Sequence, residues 1–320
     1  MTEMIEDTNS KEAQAARDSL VPSKTDGYVP FGQFEDVFSV VKSGLFYPTF
    51  ITGLSGNGKS LMVREVCARA KKPYVRLNVT AETDEDDLLG GFRLEVENGA
   101  SKTTFKYGPV ITAMRLGAIL LLDEVDCGTP KLMCLQPILE GEPVYLKKMN
   151  QIIHPVPGFN IIACANTKGQ GDENGKFVGT NMLNEAFLER FAITIEQDYP
   201  GENDERKILM KQMEFNLKTV EQDDAEFVNC LIKWASAVRK TYKEGGIQDV
   251  ITTRRLVLIC KSYAIFRKDR KKAIEMAVAR FDTDTKASFL EFYAAVDANF
   301  RGKTTGRQGA TGATQRQTPF

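Results

Sequence analysis

The chain has 320 residues, of which 42% are hydrophobic, enough to bury one large or two ordinary cores. Its 42 basic and 43 acidic residues leave a net charge of −1, so no global field points to nucleic acid or to a membrane surface. The single histidine, His154, argues against a histidine-built metal site or a Ser-His-Asp triad. No apolar run approaches the ~20 residues of a membrane span, and the six scattered cysteines read as reduced core residues of a cytoplasmic protein.

Residues 1–26 are polar with charges of both signs, and read as a flexible N-terminal tail or a short loose helix. Residues 48–53 then read as a strand. They run into Gly53-Leu54-Ser55-Gly56-Asn57-Gly58-Lys59-Ser60, which fits G-x-x-x-x-G-K-[ST], a phosphate-binding loop. Glycines let the backbone approach an anion with its N–H groups turned inward. The phosphate-contacting set is Ser55, Gly56, Asn57, Gly58, Lys59, Ser60 and Leu61, with Lys59 on the outer phosphates and the Ser60 hydroxyl on Mg²⁺. A helix follows from Ser60, its N-terminus facing the phosphates.

Further strands are expected at 73–79, 118–122, 159–165 and 191–196, alternating with helical patterns. Residues 118–122 and 159–165 are almost wholly apolar, as in central parallel strands covered on both faces. Residues 92–108 and 142–158 interrupt the alternation and read as inserted hairpins, the first turning at Glu97-Asn98-Gly99-Ala100. The run AILLL ends in Asp123 and Glu124. After a phosphate loop, that aspartate is placed to hold Mg²⁺ through water and that glutamate to polarise the attacking water. Asp126 extends the acidic cluster in a structural or substrate-facing role.

Asn166 closes IIACAN, where a neutral amide can orient a water beside the γ-phosphate or simply start the next loop. Arg190 lies directly before the fifth strand, and is either a stabiliser of phosphoryl charge, in cis or from a neighbouring subunit, or a surface ion pair. Past Pro200 helical patterns dominate, at 202–218, 224–243, 253–268, 270–280 and 284–299. Thr252-Thr253-Arg254-Arg255 opens one of them, with a threonine N-cap and an arginine able to reach the nucleotide. The expected division is a nucleotide-binding α/β domain at 27–200, a helical lid at 201–300 and a disordered tail at 301–320.

GLSGNGKS, AILLLDE, IIACANT, NEAFLERF and TTRRL stand in the order of the AAA+ ATPases, and the chain resembles that family over residues 28–295. The two hairpins resemble those of its MoxR and chelatase branch. The segments VRLNVTAETDEDDLLGGF and ANTKGQGDENGKFVGTNMLNEAFLERF resemble the ATPase-subunit family of aerobic cobaltochelatase, the CobS type. The resemblance implies a five-stranded parallel αβα core with a helical lid, hydrolysis of ATP with Mg²⁺, and a homo-oligomeric ring, a hexamer. It assigns the Walker B pair to Asp123 and Glu124, sensor 1 to Asn166, the arginine finger to Arg190 and sensor 2 to Arg254, with Arg255 as a rival. The finger context is Glu-Arg-Phe where that family has Asp-Arg-Trp. The expected work is remodelling of a client protein or complex, with neither nucleic acid nor membrane as partner. Powering metal insertion by a chelatase and acting as a nucleotide-gated assembly scaffold are the alternatives.

Overall fold

The computed structural model describes residues 10–97, 100–171, 179–298 and 300. Ser10 caps helix α1 (Lys11–Ser19), its hydroxyl accepting from the Ala13 amide at 3.1 Å. Ala13 is buried, Arg17 Nε donates to Leu116 O at 3.1 Å, and the Tyr74 amide donates to Leu20 O at 3.0 Å. Of the flexible tail and the short loose helix expected for 1–26, residues 10–26 form a helix, docked rather than loose, and a strap; residues 1–9 lie outside the described residues. This docking uses one alanine and several hydrogen bonds rather than an apolar stripe, so hydropathy carries no sign of it.

Helix α2 (Phe34–Ser43) buries Phe34, Val37 and Val41 on one face and ends at a left-handed Gly44. The chain then enters β1 (Thr49–Thr52), α3 (Lys59–Ala70) and β2 (Tyr74–Asn78). Helix α4 (Glu85–Leu89) starts in a capping box between Asp84 and Asp87 and leads into the hairpin of β3 (Gly90–Glu97) and β4 (Ala100–Tyr107), whose turn at 98–99 lies outside the described residues. After α5 (Pro109–Leu116), β5 (Ile119–Asp123) and α6 (Gln136–Leu139), a second hairpin forms from β6 (Val144–Leu146) and β7 (Gln151–Ile153). Then come β8 (Asn160–Ala165), α7 (Glu185–Leu188) and β9 (Ile193–Glu196).

β1, β2, β5, β8 and β9 form one parallel sheet in the order β2-β5-β8-β1-β9. Every residue of β5 and β8 is buried, as their apolar runs require of central strands. Alternation sends Leu120, Leu122, Ile161 and Ala163 to one core, and Leu121, Ile162 and Ile51 to the other, against Val63 and Val66 of α3. The register sets Asp123 beside Cys164 and Thr52 beside Ala165, so the three central strands end together. Open α/β sheets place their ligands at that edge.

The remaining elements among the described residues are helices: α8 (Glu202–Asn216), α9 (Gln222–Lys243), α10 (Thr253–Ile265), α11 (Arg270–Val278) and α12 (Thr283–Val296). They pack on a core of their own around Trp234, Phe227, Tyr263 and Phe289, and the Trp234 indole N–H donates to Phe289 O at 3.0 Å. No helix among the described residues is long and apolar enough to cross a membrane. The tail at 301–320 lies outside the described residues.

Candidate nucleotide-binding site

The loop between β1 and α3 owes its shape to its glycines. Gly53 has φ 146°, and a Cβ there would stand 2.1 Å from Gln197 O. Gly56 has φ 73°, and a Cβ there would meet Thr252 at 2.8 Å. Both positions need the left-handed freedom of glycine and the space it leaves. The Asn57 side-chain amide donates to Gln197 O at 2.6 Å and ties the loop to the end of β9.

Lys59 begins α3 and is almost fully buried. Its ammonium donates to Gly53 O at 2.5 Å and Leu54 O at 3.1 Å, and to the side-chain oxygens of Asn57 at 3.4 Å and Asn166 at 3.3 Å. Burial holds it below the ordinary lysine value. Beside it, Ser60 Oγ donates to Asp123 Oδ1 at 2.7 Å. Glu124 follows in a left-handed conformation, φ 57°, with an exposed side chain. That kink turns its carboxylate off the strand line at the mouth of the site, where it lines the same cavity as Lys59 and Asp123.

Asp126 is fully buried, and its Oδ2 accepts from the amides of Asn166 and Thr167 and from the Thr167 hydroxyl, each at 2.9 Å. Of the two roles open to it, this geometry supports the structural one, because it fixes the start of the loop that presents Asn166 to Lys59.

The helical unit closes over the loop. Thr252 caps α10, accepting from the Arg255 amide at 3.1 Å, and the Arg254 amide donates to Gly56 O at 3.2 Å. The Thr253 hydroxyl donates to Glu205 Oε1 at 2.6 Å, and Glu205 is clamped by Arg239 at 2.8 and 2.9 Å. The Tyr199 hydroxyl donates to Ser55 O at 2.8 Å.

These elements enclose a cavity of about 710 Å³. It gathers Ser55, Gly56, Asn57, Gly58, Lys59, Ser60, Leu61, Asp123, Glu124, Asn166 and Arg254. Arg255 does not line it, and Arg190 lies elsewhere: its Nε donates to Glu140 Oε1 at 2.7 Å and its NH1 to Ala186 O. Three contributions escaped sequence reasoning. The strap from Thr25 to Phe31 forms one wall, fastened to α3 by the Thr25 amide on Glu65 Oε2 at 2.8 Å and by Arg64 NH1 on the Thr25 hydroxyl at 3.0 Å. Ile208, Gln212 and Val257 supply the facing wall from α8 and α10. Arg76 enters from β2 and pairs with Asp123 Oδ2 at 2.6 Å. Gly27 and Pro30 within the strap and Gly32 after it are turn signals, but nothing local in the sequence shows that Arg76 reaches Asp123 or that the lid residues face the loop.

The chain is similar to several known proteins. Residues 48–191 match the family model of the AAA domain, dynein-related subfamily. The aerobic cobaltochelatase subunit CobS of a Sinorhizobium species is 29% identical over 254 residues, which is 76% of this chain and 75% of that one. An uncharacterized protein of Staphylococcus haemolyticus is 30% identical over 232 residues, covering 70% of this chain and 81% of the relative. Among solved structures, NtrX of Brucella abortus in complex with ADP aligns with 17% identity and a TM-score of 0.48, over 76% of this chain and 51% of that one. The loop at the sheet edge, the acidic pair beside it and the matched family model make the chain a member of the AAA family of ATPases, in its dynein-related, MoxR-like branch, with CobS among its relatives.

Proposed function

We propose that the chain binds ATP with Mg²⁺ in this cavity, hydrolyses it to ADP and phosphate, and uses the cycle to remodel a partner protein or complex in the cytoplasm. The observation that carries this reading is the convergence of Lys59, Ser60, Asp123, Glu124, Asn166 and Arg254 on one cavity from four separate chain segments. In this reading the inward N–H groups of Ser55–Leu61 cradle the phosphates and Lys59 turns from the loop carbonyls to the β- and γ-oxygens. The base lies between the strap at Tyr28 and Val29 and the lid residues Ile208 and Val257, an apolar slot suited to a planar ring.

The oxygen donors of Ser60 and Asp123, 2.7 Å apart, suit a hard cation that keeps most of its waters. Bound there, Mg²⁺ would neutralise charge on the phosphate oxygens. Glu124 would take the proton of the attacking water, Asn166 would orient that water, and Arg254 would sense the γ-phosphate from the lid. Arg254 is preferred to Arg255 as sensor 2 because it alone of the two lines the cavity. Arg190 would act on the nucleotide of a neighbouring copy in a six-membered ring.

A second reading follows from the relative CobS: the same cycle would power metal insertion by a chelatase. Purification of Glu124→Gln protein in ATP, with identification of what stays bound, separates the two by the partner recovered. The ATP site itself is tested by Lys59→Ala. Calorimetry should show loss of ATP binding with the circular dichroism spectrum retained, and an unchanged affinity would sink the site.

A further inference from the structure

Arg76 lies in the VRLNV segment that carries part of the family resemblance, but outside the phosphate loop and the Asp123-Glu124 pair, and it holds the carboxylate on which the metal depends. In the β2–β5 register, Asn78 lies opposite Asp123 and Arg76 opposite Leu121. From there the Arg76 guanidinium reaches forward to Asp123 Oδ2 at 2.6 Å, while Ser60 occupies Oδ1 at 2.7 Å. Both oxygens of a carboxylate only 6% exposed are thus engaged. Lys59 does not share this duty, since its hydrogen bonds go to Gly53, Leu54, Asn57 and Asn166. Arg76 is the one ion-pair partner of Asp123 among the described residues.

The arginine is also free to leave. Its side chain is 52% exposed, lines the cavity and makes no other ion pair among the described residues. A guanidinium and a divalent cation on the same buried carboxylate repel each other, and water screens that repulsion poorly there. One or the other is held close.

We propose that Arg76 is a positioning residue that competes with the divalent cation for Asp123 and so sets how strongly nucleotide binding depends on Mg²⁺. This rests on the reading of Ser60 and Asp123 as the metal site. Without metal, Arg76 neutralises a carboxylate that would otherwise repel the phosphates. With metal, it gives up the carboxylate and lowers the gain that the cation brings. Removal of the guanidinium therefore acts in opposite directions in the two conditions, which general damage to the fold does not do.

The test is ADP binding to the full chain, by calorimetry, in EDTA and in saturating Mg²⁺. For Arg76→Gln, the ratio of the dissociation constant in EDTA to that in Mg²⁺ should rise at least ~3-fold over wild type, the scale of a half-exposed charge pair. Arg76→Lys should stay near wild type, because the charge is kept. In an Asp123→Asn background the same Arg76→Gln change should no longer move the ratio. A ratio unchanged by Arg76→Gln, in a protein whose ADP binding responds to Mg²⁺, overturns the proposal alone. A ratio near one in both wild type and Arg76→Gln overturns the metal site and the proposal with it.

Discussion

Glu124 has a backbone that is costly for its residue type. A non-glycine residue in the left-handed region gives up roughly 1 kcal/mol, and φ 57° puts Glu124 there. The kink is tolerated because it ends a fully buried strand and frees the carboxylate from the sheet. Two variants separate the side chain from the backbone. Glu124→Gln should bind ATP as wild type does and release phosphate at least ~100-fold more slowly, the scale of a lost general base. Glu124→Gly should be just as slow without lowering the thermal midpoint, since glycine takes this conformation without strain. Steady-state phosphate release with calorimetric ATP binding checks the first, and scanning calorimetry the second. Phosphate release near the wild-type rate in either variant removes Glu124 from the chemistry.

At the scale of elements, the helical unit depends on a junction that its hydropathy does not reveal. Asp224 in the first turn of α9 is fully buried. It accepts from the Tyr263 hydroxyl at 2.8 Å, the Lys268 ammonium at 2.9 Å and the Glu221 amide at 2.8 Å. Burial alone would raise its pKa, but these donors outweigh it and hold the carboxyl below the ordinary aspartate value. A carboxylate so depressed stabilises the fold above its unfolded pKa, and that contribution is lost as pH falls through the lower folded value. Asp224→Asn should therefore cost about 2 kcal/mol near neutral pH. Its difference from wild type should shrink only below about pH 4, where the unfolded aspartate has begun to bind its proton. Urea unfolding between pH 7 and pH 3 measures this, and a difference that grows on acidification contradicts it.

The same contrast explains what was legible in the chain. The central strands were, because residues 118–122 and 159–165 are almost wholly apolar, Asn160 excepted, and are buried on both sides. Both hairpins were, from short alternating runs about turn residues. The phosphate loop and Asp123-Glu124 were, because their spacing is fixed by chemistry within one chain segment. The docking of helix α1 and the strap, and the pairing of Arg76 with Asp123, were not. Their places depend on hydrogen bonds and ion pairs to residues distant in sequence, such as Arg17 on Leu116 and Arg76 on Asp123. Such partners leave no local period to read.

For the whole molecule, the open question is how Arg190 meets a nucleotide. It pairs with Glu140 outside the cavity of its own chain, so a role in hydrolysis requires a second copy. ATPase activity per subunit should then rise with protein concentration across the assembly transition. Mixing inactive Arg190→Ala with inactive Lys59→Ala should restore part of it, since the first retains a competent site and the second a competent arginine. Co-assembly without rescue, shown by sedimentation and phosphate release together, would leave Arg190 as a surface ion pair. Within one copy, the helical unit meets the loop through the Arg254 amide and Gly56 O, both main-chain atoms. That contact is therefore mute in the alphabet of side chains: relatives can differ at residue 254 and keep it, and an alanine scan passes over it. The practical gain is that Arg254→Ala leaves the lid seated, so any ATPase activity it loses is the guanidinium's alone.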